Sequence, residues 1–467
     1  MSVFSTSLKT TIIDPQFHSA NRCEFRLENR GQAYMPTLRL GNLGLLKTGA
    51  SPNEYQWGAG VASVISRIRL MDGNEELDSL RNVAQWMTFK NALKSNSQNT
   101  SVFNNLGGGS QGWIYGDTGE LIETHTKQVR FGGGSVTGSL DLREVFPFLN
   151  SISHLSTNLF KNLRVVIEYV PDSATQLLVN SQVTADINGI GKVVPILICD
   201  EITDNALAAA LDKKMTGAAW VAIEHDLAQV PQPAGFAASD TPSKTTVVPQ
   251  RVQLRMNGFQ NKSVSRMMIA KCYEDTSKTG PNVNNSSGND KGPHEVRALG
   301  GYGSKALLKE TFNVRLNGRN VLAGEGLVSP AQQTMMLSDT WGALDMCPFQ
   351  NQQSVGLDTV YNNYDTFATA VGPLNVTGIN ETVPSVKSTT PGVAEPQHGP
   401  WISNSAWIGV PIQDRVTDLQ LDFGRTCTFS SGTVSSAGNF LPLNLHVFAE
   451  VSKAIEVSGN SYRVFYA

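Results

Sequence analysis

Apolar and polar residues alternate along several stretches of the chain, with the period of two that is typical of half-buried strands. The stretch "HLSTNLFKNLRVVIEYV", residues 154–170, changes its period halfway. The apolar residues of 155–160 have helical spacing, whereas those of 163–169 alternate strictly with polar ones. This change predicts a short helix that leads directly into a strand.

Further strands are predicted in the first half. "RCEFRLEN", residues 22–29, alternates cleanly. Val64–Met71 is a second alternating run, and it ends at Asp72-Gly73, a pair suited to a tight turn. The nearly unbroken apolar run Val193–Ile202 predicts a buried strand.

Two segments have the pattern and the capping residues of helices. One runs from Asp78 to about Lys94, with Asp78 as its N-cap. The other is Thr203–Lys214, with Thr203 or Asp204 as its cap and two lysines at its negative end. We expect this second helix to mark a domain junction, because the strand pattern starts again after it.

The restarted pattern repeats the first half in the same order and at similar offsets. "RVQLRMNG" echoes "RCEFRLEN", "TFNVRLNGRNV" echoes the run that ends at Asp72-Gly73, "VTDLQLDFG" echoes "NLRVVIEYV", and "LNLHVFAEV" echoes "VVPILICDEI". One echo alone is weak, because all half-buried strands alternate. Four echoes in one order favour a tandem duplication of a β unit.

The predicted fold class is therefore all-β, with strands separated by Gly, Asn, Asp and Pro clusters and short helices in the loops. We expect an N-terminal arm at residues 1–12, a first unit at 13–215 and a second unit at 216–467. Two long polar stretches, residues 274–303 and 350–400, are expected to be functional surface loops.

Charge and hydropathy restrict the partners of the protein. Charged residues make up 16% of the 467 residues, the net charge is −3, and Lys and Arg do not cluster. Nucleic acid is therefore not expected as the main ligand, because phosphate binding needs concentrated positive charge. The sequence contains neither a signal-like apolar start nor the run of ~18 apolar residues that a bilayer span needs. We expect folding in an intracellular aqueous phase.

The sequence contains no constellation of catalytic residues. Its seven histidines are scattered, and HExxH and phosphate-loop patterns are absent. The glycine cluster "GGGSQGW" lacks the strand–loop–helix context of a GxSxG nucleophile elbow. We expect no enzyme activity, no catalytic, cofactor-binding or metal-binding residues and no cofactor, and we expect His446 to be a packed strand residue. The cysteines are odd in number and far apart, which predicts reduced thiols without metal. They are Cys23, Cys199, Cys272, Cys347 and Cys427.

Segments spread over most of the chain together resemble one family. They are "LDLREVFPFLNSISHLSTNLFKNLRVVIEYV", "VPILICDEITDNALAAALDKK", "WVAIEHDLAQVP", "RVQLRMNGFQNKSVSRMMIAKC", "FNVRLNGRNV" and "AEVSKAIEVSGNSYRVFYA". The chain resembles the double jelly-roll major capsid proteins of eukaryotic double-stranded DNA viruses, namely the nucleocytoplasmic large DNA viruses, the virophages and the polinton-like viruses. In this resemblance, "WVAIEHDLAQVP" is a crossing segment before the second roll.

The resemblance implies two tandem eight-stranded jelly rolls and a homotrimer that forms a pseudo-hexagonal capsomer of an icosahedral virion shell. It implies neighbouring capsomers, penton proteins and minor capsid proteins as partners, and it is compatible with an internal membrane under the shell. Assembly is expected inside the host cell, in the cytoplasm or the nucleus. Loops 274–303 and 350–400 would form an outward tower around the threefold axis.

The residues leave a second function class open, a carbohydrate-binding β-sandwich such as a lectin-like or receptor-binding fibre protein. Its aromatic candidates are Trp113-Ile114-Tyr115 and Trp401. An enzyme on a β-sandwich is a third class. The two ends of the sequence are expected to differ: "SYRVFYA" should be a strand fixed in the second roll, whereas arm 1–12 should lie under the capsomer and contact neighbouring copies.

Overall fold

The structure is a computed structural model. It describes residues 8–28, 33–47, 53–54, 60–94, 114–115, 121–122, 130–131, 134–170, 190–231, 246–273, 308–324, 326–327, 330–341, 407–429 and 442–467. Loops 274–303 and 350–400 lie outside these residues, so their expected role stays a prediction.

The first half of the chain contributes sixteen of the described strands. They are β1 Leu8–Ile13, β2 Phe17–His18, β3 Arg22–Arg26, β4 Ala33–Tyr34, β5 Arg39–Lys47, β6 Asn53–Glu54, β7 Ile65–Asp72, β8 Glu75–Arg81, β9 Ile114–Tyr115, β10 Leu121–Ile122, β11 Arg130–Phe131, β12 Gly134–Asp141, β13 Leu155–Ser156, β14 Leu163–Tyr169, β15 Ile190–Lys192 and β16 Ile196–Ile202.

The second half contributes fewer and longer described strands. They are β17 Gly217–Val230, β18 Thr246–Arg255, β19 Ser263–Tyr273, β20 Leu308–Leu316, β21 Arg319–Asn320, β22 Trp407–Arg415, β23 Leu419–Phe429, β24 Leu443–Ser458 and β25 Ser461–Tyr466. The helices are α1 Val83–Lys94, α2 Phe148–Ser151, α3 Asn205–Asp212 and α4 Pro330–Trp341, with 3-10 turns at Gly60–Val64 and Leu142–Glu144.

The strands of each half pair into two main antiparallel sheets. In the first half, sheet 1a contains the order β1-β16-β5-β12, and sheet 1b contains β3-β14-β7-β8. In the second half, sheet 2a has the order β17-β24-β19-β22, and sheet 2b has β18-β23-β20-β21. Each half thus holds eight principal strands, and the two halves pair them in the same order.

This repeated pairing order is that of two tandem jelly rolls, which confirms the predicted fold class. All four sequence echoes join strands at equivalent positions: β3 with β18, β7 with β20, β14 with β23, and β16 with β24. Among the described strands, no ladder joins one side of α3 to the other. The division at residues 215 and 216 itself stays a prediction.

The turn between β20 and β21 has the backbone that its sequence predicts. Asn317 and Gly318 both have positive φ, 49° and 83°. Positive φ at both central residues is the geometry of a two-residue type I′ hairpin, for which Asn-Gly is favoured. Gly73, with φ 59°, lies in the equivalent turn between β7 and β8.

The first strand corrects the prediction of an arm at residues 1–12. Leu8–Ile13 pairs with β16 along its whole length, from Leu8 opposite Ile202 to Ile13 opposite Leu197. In the pairing order β1 is the equivalent of β17, so it is the first strand of the first roll. Residues 1–7 lie outside the described part of the chain.

Two helix predictions are also corrected. Asp78 is not the cap of α1, because it lies inside β8 and the helix begins at Val83. Residues 155–160 form the short strand β13 and a turn, and the nearby helix is the single turn α2. The helix before β17 is confirmed: the side chain of Asp204 accepts hydrogen bonds from the backbone N–H groups of Ala206 and Leu207.

The segment "WVAIEHDLAQVP" is not a crossing connection. Its residues 220–230 lie within β17, which pairs with β24 from Gly217 opposite Glu456 to Val230 opposite Leu443. It is therefore the first strand of the second roll. The prediction for "SYRVFYA" is confirmed, because β25 pairs with residues Lys453–Ser458 of β24.

Candidate functional surfaces

The two rolls share one apolar core where they meet. Helix α1 follows β8 of the first roll, and its Trp86 and Phe89 are both buried. The ring of Phe89 lies 5.1 Å from that of Trp341 and 5.3 Å from that of Trp407, and the ring of Trp86 lies 5.8 Å from that of Phe448. Trp341, Trp407 and Phe448 belong to the second roll, so α1 is packed between the rolls.

A second set of rings extends this contact along the junction. Phe148 of α2 packs on Trp220 of β17 at 5.0 Å, and Phe160 packs on Tyr462 of β25 at 5.1 Å. The hydroxyl of Tyr462 donates a hydrogen bond of 2.8 Å to the Asp72 carboxylate at the β7–β8 turn. These contacts hold the rolls in one relative position, and we call this contact the internal junction.

Polar side chains at the internal junction are paired with one another. The side-chain N–H of Asn82 donates to Nε2 of His225 at 2.8 Å, and Nδ1 of His446 lies 3.1 Å from the same Nε2. Burial, with a smaller contribution from Arg81, lowers the pKa of His225 to about 3. His446 is buried in β24, as expected of a packed strand residue.

Asp78 is a buried carboxyl on the first-roll side of the internal junction. Its carboxylate accepts a hydrogen bond of 2.9 Å from the backbone N–H of Phe148, at the start of α2. Burial raises the pKa of Asp78 to about 7, against the opposing effects of this hydrogen bond and of Lys453. Asp78 and Phe148 are 70 residues apart in the sequence, so the sequence pattern alone could not indicate this hydrogen bond.

An apolar face of sheet 1a is exposed. Leu8 and Ile12 of β1 point to the side of this sheet away from the core and are 37% and 62% exposed, and Val194, just before β16, is 49% exposed. The polar groups of the same face are paired: Asp200 accepts from the hydroxyls of Thr10 at 2.7 Å and of Thr37 at 3.0 Å. We call this surface the β1 face.

Helix α4 of the second roll also exposes a large apolar side chain. Met335 is 64% exposed, whereas Leu337 of the same helix is buried against Gly409 of β22. The apolar residues described in α1, which occupies the same place in the order of elements, are buried. The equivalent helices of the two rolls therefore differ in how far they are covered.

A polar groove of about 450 Å³ lies on sheet 2b. Its lining contains an ion pair between Arg251 and Asp422, together with Arg315 and the amides of Gln253 and Asn320. Among the described residues of this lining there is no aromatic ring on which a sugar could stack.

The aromatic candidates for carbohydrate binding do not test that alternative. Trp113 and Trp401 lie outside the described residues, and Ile114–Tyr115 is described only as strand β9.

Cys23 and Cys199 are free and buried in the first roll, where burial raises the pKa of each thiol to about 12. The side chains of the other three cysteines are not among those described.

Within the described ranges, no three His, Cys, Asp or Glu side chains are grouped so that they could hold a metal ion. No helix in that part of the chain is long and apolar enough to cross a bilayer.

Comparison with known proteins places the fold. No family model matches the chain, and no curated protein matches its sequence. Its structure is similar to a chain of the PBCV-1 virus capsid, with a TM-score of 0.51 and 11% identity over 98% of this chain and 97% of that chain. PBCV-1 VP54, fitted into a reconstruction of the virophage Sputnik, gives a TM-score of 0.52 and 12% identity over the same shares. The mavirus major capsid protein gives 0.48 and 9% identity over 99% and 90%.

The shared fold is the double jelly roll, and it covers nearly the full length of this chain and of both PBCV-1 chains. At 11–12% identity this similarity establishes the fold, and the roles of individual residues cannot be transferred from those chains to this one.

Proposed function

We propose that this chain is a major capsid protein and that three copies form one capsomer of an icosahedral virion. The observation that carries the proposal is a single chain that folds into two jelly rolls over a common core, and this fold is similar to that of a PBCV-1 capsid chain. Residues 13–215 and 216–467, with β1 added to the first, would be the two rolls.

The geometry of a double roll suits a shell. Two similar sandwiches held side by side give each copy two similar flanks, so three copies present six, and a six-sided block tiles a flat facet. The aromatic contacts of the internal junction would keep the two rolls in register during assembly. The low net charge of −3 suits dense packing of identical copies, because strongly like-charged copies would repel.

The same proposal names the partners and the location. The chain would contact itself within the trimer, neighbouring capsomers, and penton and minor capsid proteins, with an internal membrane compatible with such a shell. It would act as a structural protein of the virion, assembled inside the host cell, and not as an enzyme.

The proposal is tested by the mass and shape of the purified protein. We expect light scattering after size exclusion to give three times the 50.5 kDa chain, about 150 kDa, and negative-stain images to show hexagonal blocks. A monomer at all concentrations up to those of a virus-infected cell extract would contradict the proposal. A monomer that also binds glycans would support the carbohydrate-binding alternative.

A further inference from the structure

We infer that the outer face of sheet 1b is a docking surface for a carboxylate-rich protein segment. We call this surface the arginine face. The inference goes beyond the proposed function, because it concerns one surface of the single chain and a partner of different chemistry. Its starting observation is that the fold brings together, on one sheet, arginines that are far apart in the sequence.

The arginine face has twelve outward positions, three on each of β3, β14, β7 and β8, which the strand register aligns in rows. Nine of these positions carry charged residues. They are Arg22, Glu24 and Arg26 on β3, Arg164 and Glu168 on β14, Arg67 and Arg69 on β7, and Glu76 and Arg81 on β8. The six arginines outnumber the three glutamates, so the face has a net charge of +3, whereas the whole chain has −3.

All six cations of the arginine face are arginines, although Lys and Arg are almost equally frequent in the chain, 18 against 19. The planar guanidinium group can hold a carboxylate through two parallel N–H bonds, which an ammonium group cannot do. Arg is also enriched at protein interfaces, whereas Lys is depleted there. A surface that only kept the protein soluble would use lysine as readily, so the choice of arginine favours a binding role.

The equivalent sheet of the second roll shows that the fold itself does not require this density of charge. One row of sheet 2b contains Gln253, Asp422 and Asn313, and in the next row Gln420 lies opposite Arg315. Amides occupy three of these five positions. An exposed jelly-roll sheet can therefore be built with few charges, and the charges of sheet 1b need another reason.

The central arginines are held in fixed positions by the glutamates between them. Arg69 donates to Glu168 at 2.6 Å, and Arg67 donates to Glu76 at 2.9 Å. The side chains of both arginines are only 22% exposed, so they lie along the sheet and do not extend into water. Because these side chains are already ordered, a partner that contacts them loses little conformational entropy.

The rim of the arginine face has groups that are available to a partner. Arg26 and Arg81 are exposed, and neither has a hydrogen-bond or ion-pair partner among the described residues. Phe17 of β2 lies opposite Glu24, so its side chain points to the same face, and it is 52% exposed. Arginines and aromatic rings are the side chains that contribute most binding energy at protein interfaces.

The glutamates of the lattice favour a protein over a nucleic acid as the partner. Glu168 lies between Arg22 and Arg67 in one row. Duplex DNA carries a phosphate charge every ~1.7 Å of its axis, so it would place phosphates against this carboxylate. An extended protein segment has its alternate side chains about 6.7 Å apart, which is also the spacing between alternate positions such as Arg67 and Arg69. Asp or Glu at alternate positions can therefore contact arginines and avoid the glutamates.

Binding of an acidic peptide to the purified full chain tests the inference. The probe is a fluorescein-labelled peptide of about six Asp-Ser pairs, which extends over ~40 Å, and its binding is followed by fluorescence anisotropy at low salt. We expect Arg26→Glu to weaken binding at least about 10-fold, and Glu168→Gln to strengthen it roughly 3-fold because a central negative charge is removed. A purely structural role of these residues would not predict the second result.

Lys214→Glu is the matched control. Lys214 is exposed just after α3, a helix that packs against Ile202 of sheet 1a, and the substitution changes the net charge by the same amount as Arg26→Glu. We expect its affinity for the peptide to stay within about 2-fold of wild type. Far-ultraviolet circular dichroism and the melting temperature should show that all variants are folded.

The remaining outcomes identify other occupants or overturn the inference. Tighter binding of an oligonucleotide of equal length, or of phosphatidylserine vesicles, would show that the face serves a phosphate-bearing partner and would overturn it. Equal losses for Lys214→Glu and Arg26→Glu, or no binding of the peptide by wild type, would overturn it as well. Loss of self-association in Arg26→Glu without peptide binding would assign the face to a second copy. A trimer that does not bind the peptide contradicts this inference alone, and a monomer that binds it contradicts only the proposed function.

Discussion

Replacing Phe89 by Ala should show how strongly the two rolls depend on each other. Phe89 is 1% exposed, and its ring contacts those of Trp86, Trp341 and Trp407 at 5.1 to 5.7 Å. Truncating a buried Phe typically costs about 3–5 kcal/mol of unfolding free energy, which includes the cavity that remains. With three aromatic partners lost at once, we expect a cost of about 4 kcal/mol or more.

The assay is urea unfolding followed by tryptophan fluorescence at a concentration where the chain is monomeric. Wild type should unfold in one transition, because the shared core couples the rolls. Phe17→Ala is the control, since its side chain is half exposed, and it should cost less than about 1 kcal/mol. Two separate transitions in wild type, or a cost below about 1 kcal/mol for Phe89→Ala, would refute the shared-core reasoning.

Three further predictions address single features. Gly318→Ala should lower the unfolding free energy by roughly 1 kcal/mol, and Gly326→Ala should lower it by well over that amount. Both glycines have positive φ, but only at Gly326 would a Cβ lie 2.2 Å from the Phe312 carbonyl oxygen. Equal chemical-denaturation midpoints of the two variants would contradict this. Asp78 has a folded pKa raised from 3.8 to about 7, so its contribution to stability is present below pH ~4 and is lost as the pH rises to about 7. Asp78→Asn should remove this decline between pH ~4 and pH ~7, and parallel stability curves of the two proteins over that range would show that the carboxyl does not titrate there. Deletion of residues 461–467 removes β25 from the edge of β24 and should abolish the soluble trimer; an unchanged melting temperature and mass would contradict the assignment.

The tandem fold could be predicted because alternation reports which face of a strand is buried. Residues 163–169 and 419–423 alternate in the same way, since both lie in interior strands with one face on a core. The Asn317-Gly318 turn was predictable for a local reason as well, because few residue pairs accept positive φ at both positions.

The first strand was missed because its pattern is reversed. In β1 the apolar Leu8 and Ile12 face away from the core, while Lys9 and Thr11 lie on the other side. Its partner β16 is also about 190 residues away in sequence, so neither local pattern nor local turn signals connect the two. The outward-facing Leu8 and Ile12 thus both create the exposed β1 face and explain why strand β1 was not predicted.

The internal junction was beyond prediction for a related reason. Trp86 and Phe89 have the spacing of any buried helix face, and the sequence does not say which partner covers them. Asp78 looked like a helix cap because it precedes an apolar helical run by a few residues. Its partner is the backbone N–H of Phe148, which only the tertiary fold brings near.

The shared core has a consequence for synthesis of the protein on the ribosome. The first roll is complete once β16 has emerged, yet Trp86 and Phe89 gain their full cover only when β22 and β24 arrive. About 250 residues separate the end of α3 from the last residue, which takes roughly 13 to 50 s at 5–20 residues per second. During that interval each nascent chain exposes an aromatic surface to its neighbours on the same messenger. Crowded translation therefore favours pairing between the first rolls of different chains, and slow, well-spaced ribosomes or a bound chaperone should raise the yield of correctly joined double rolls.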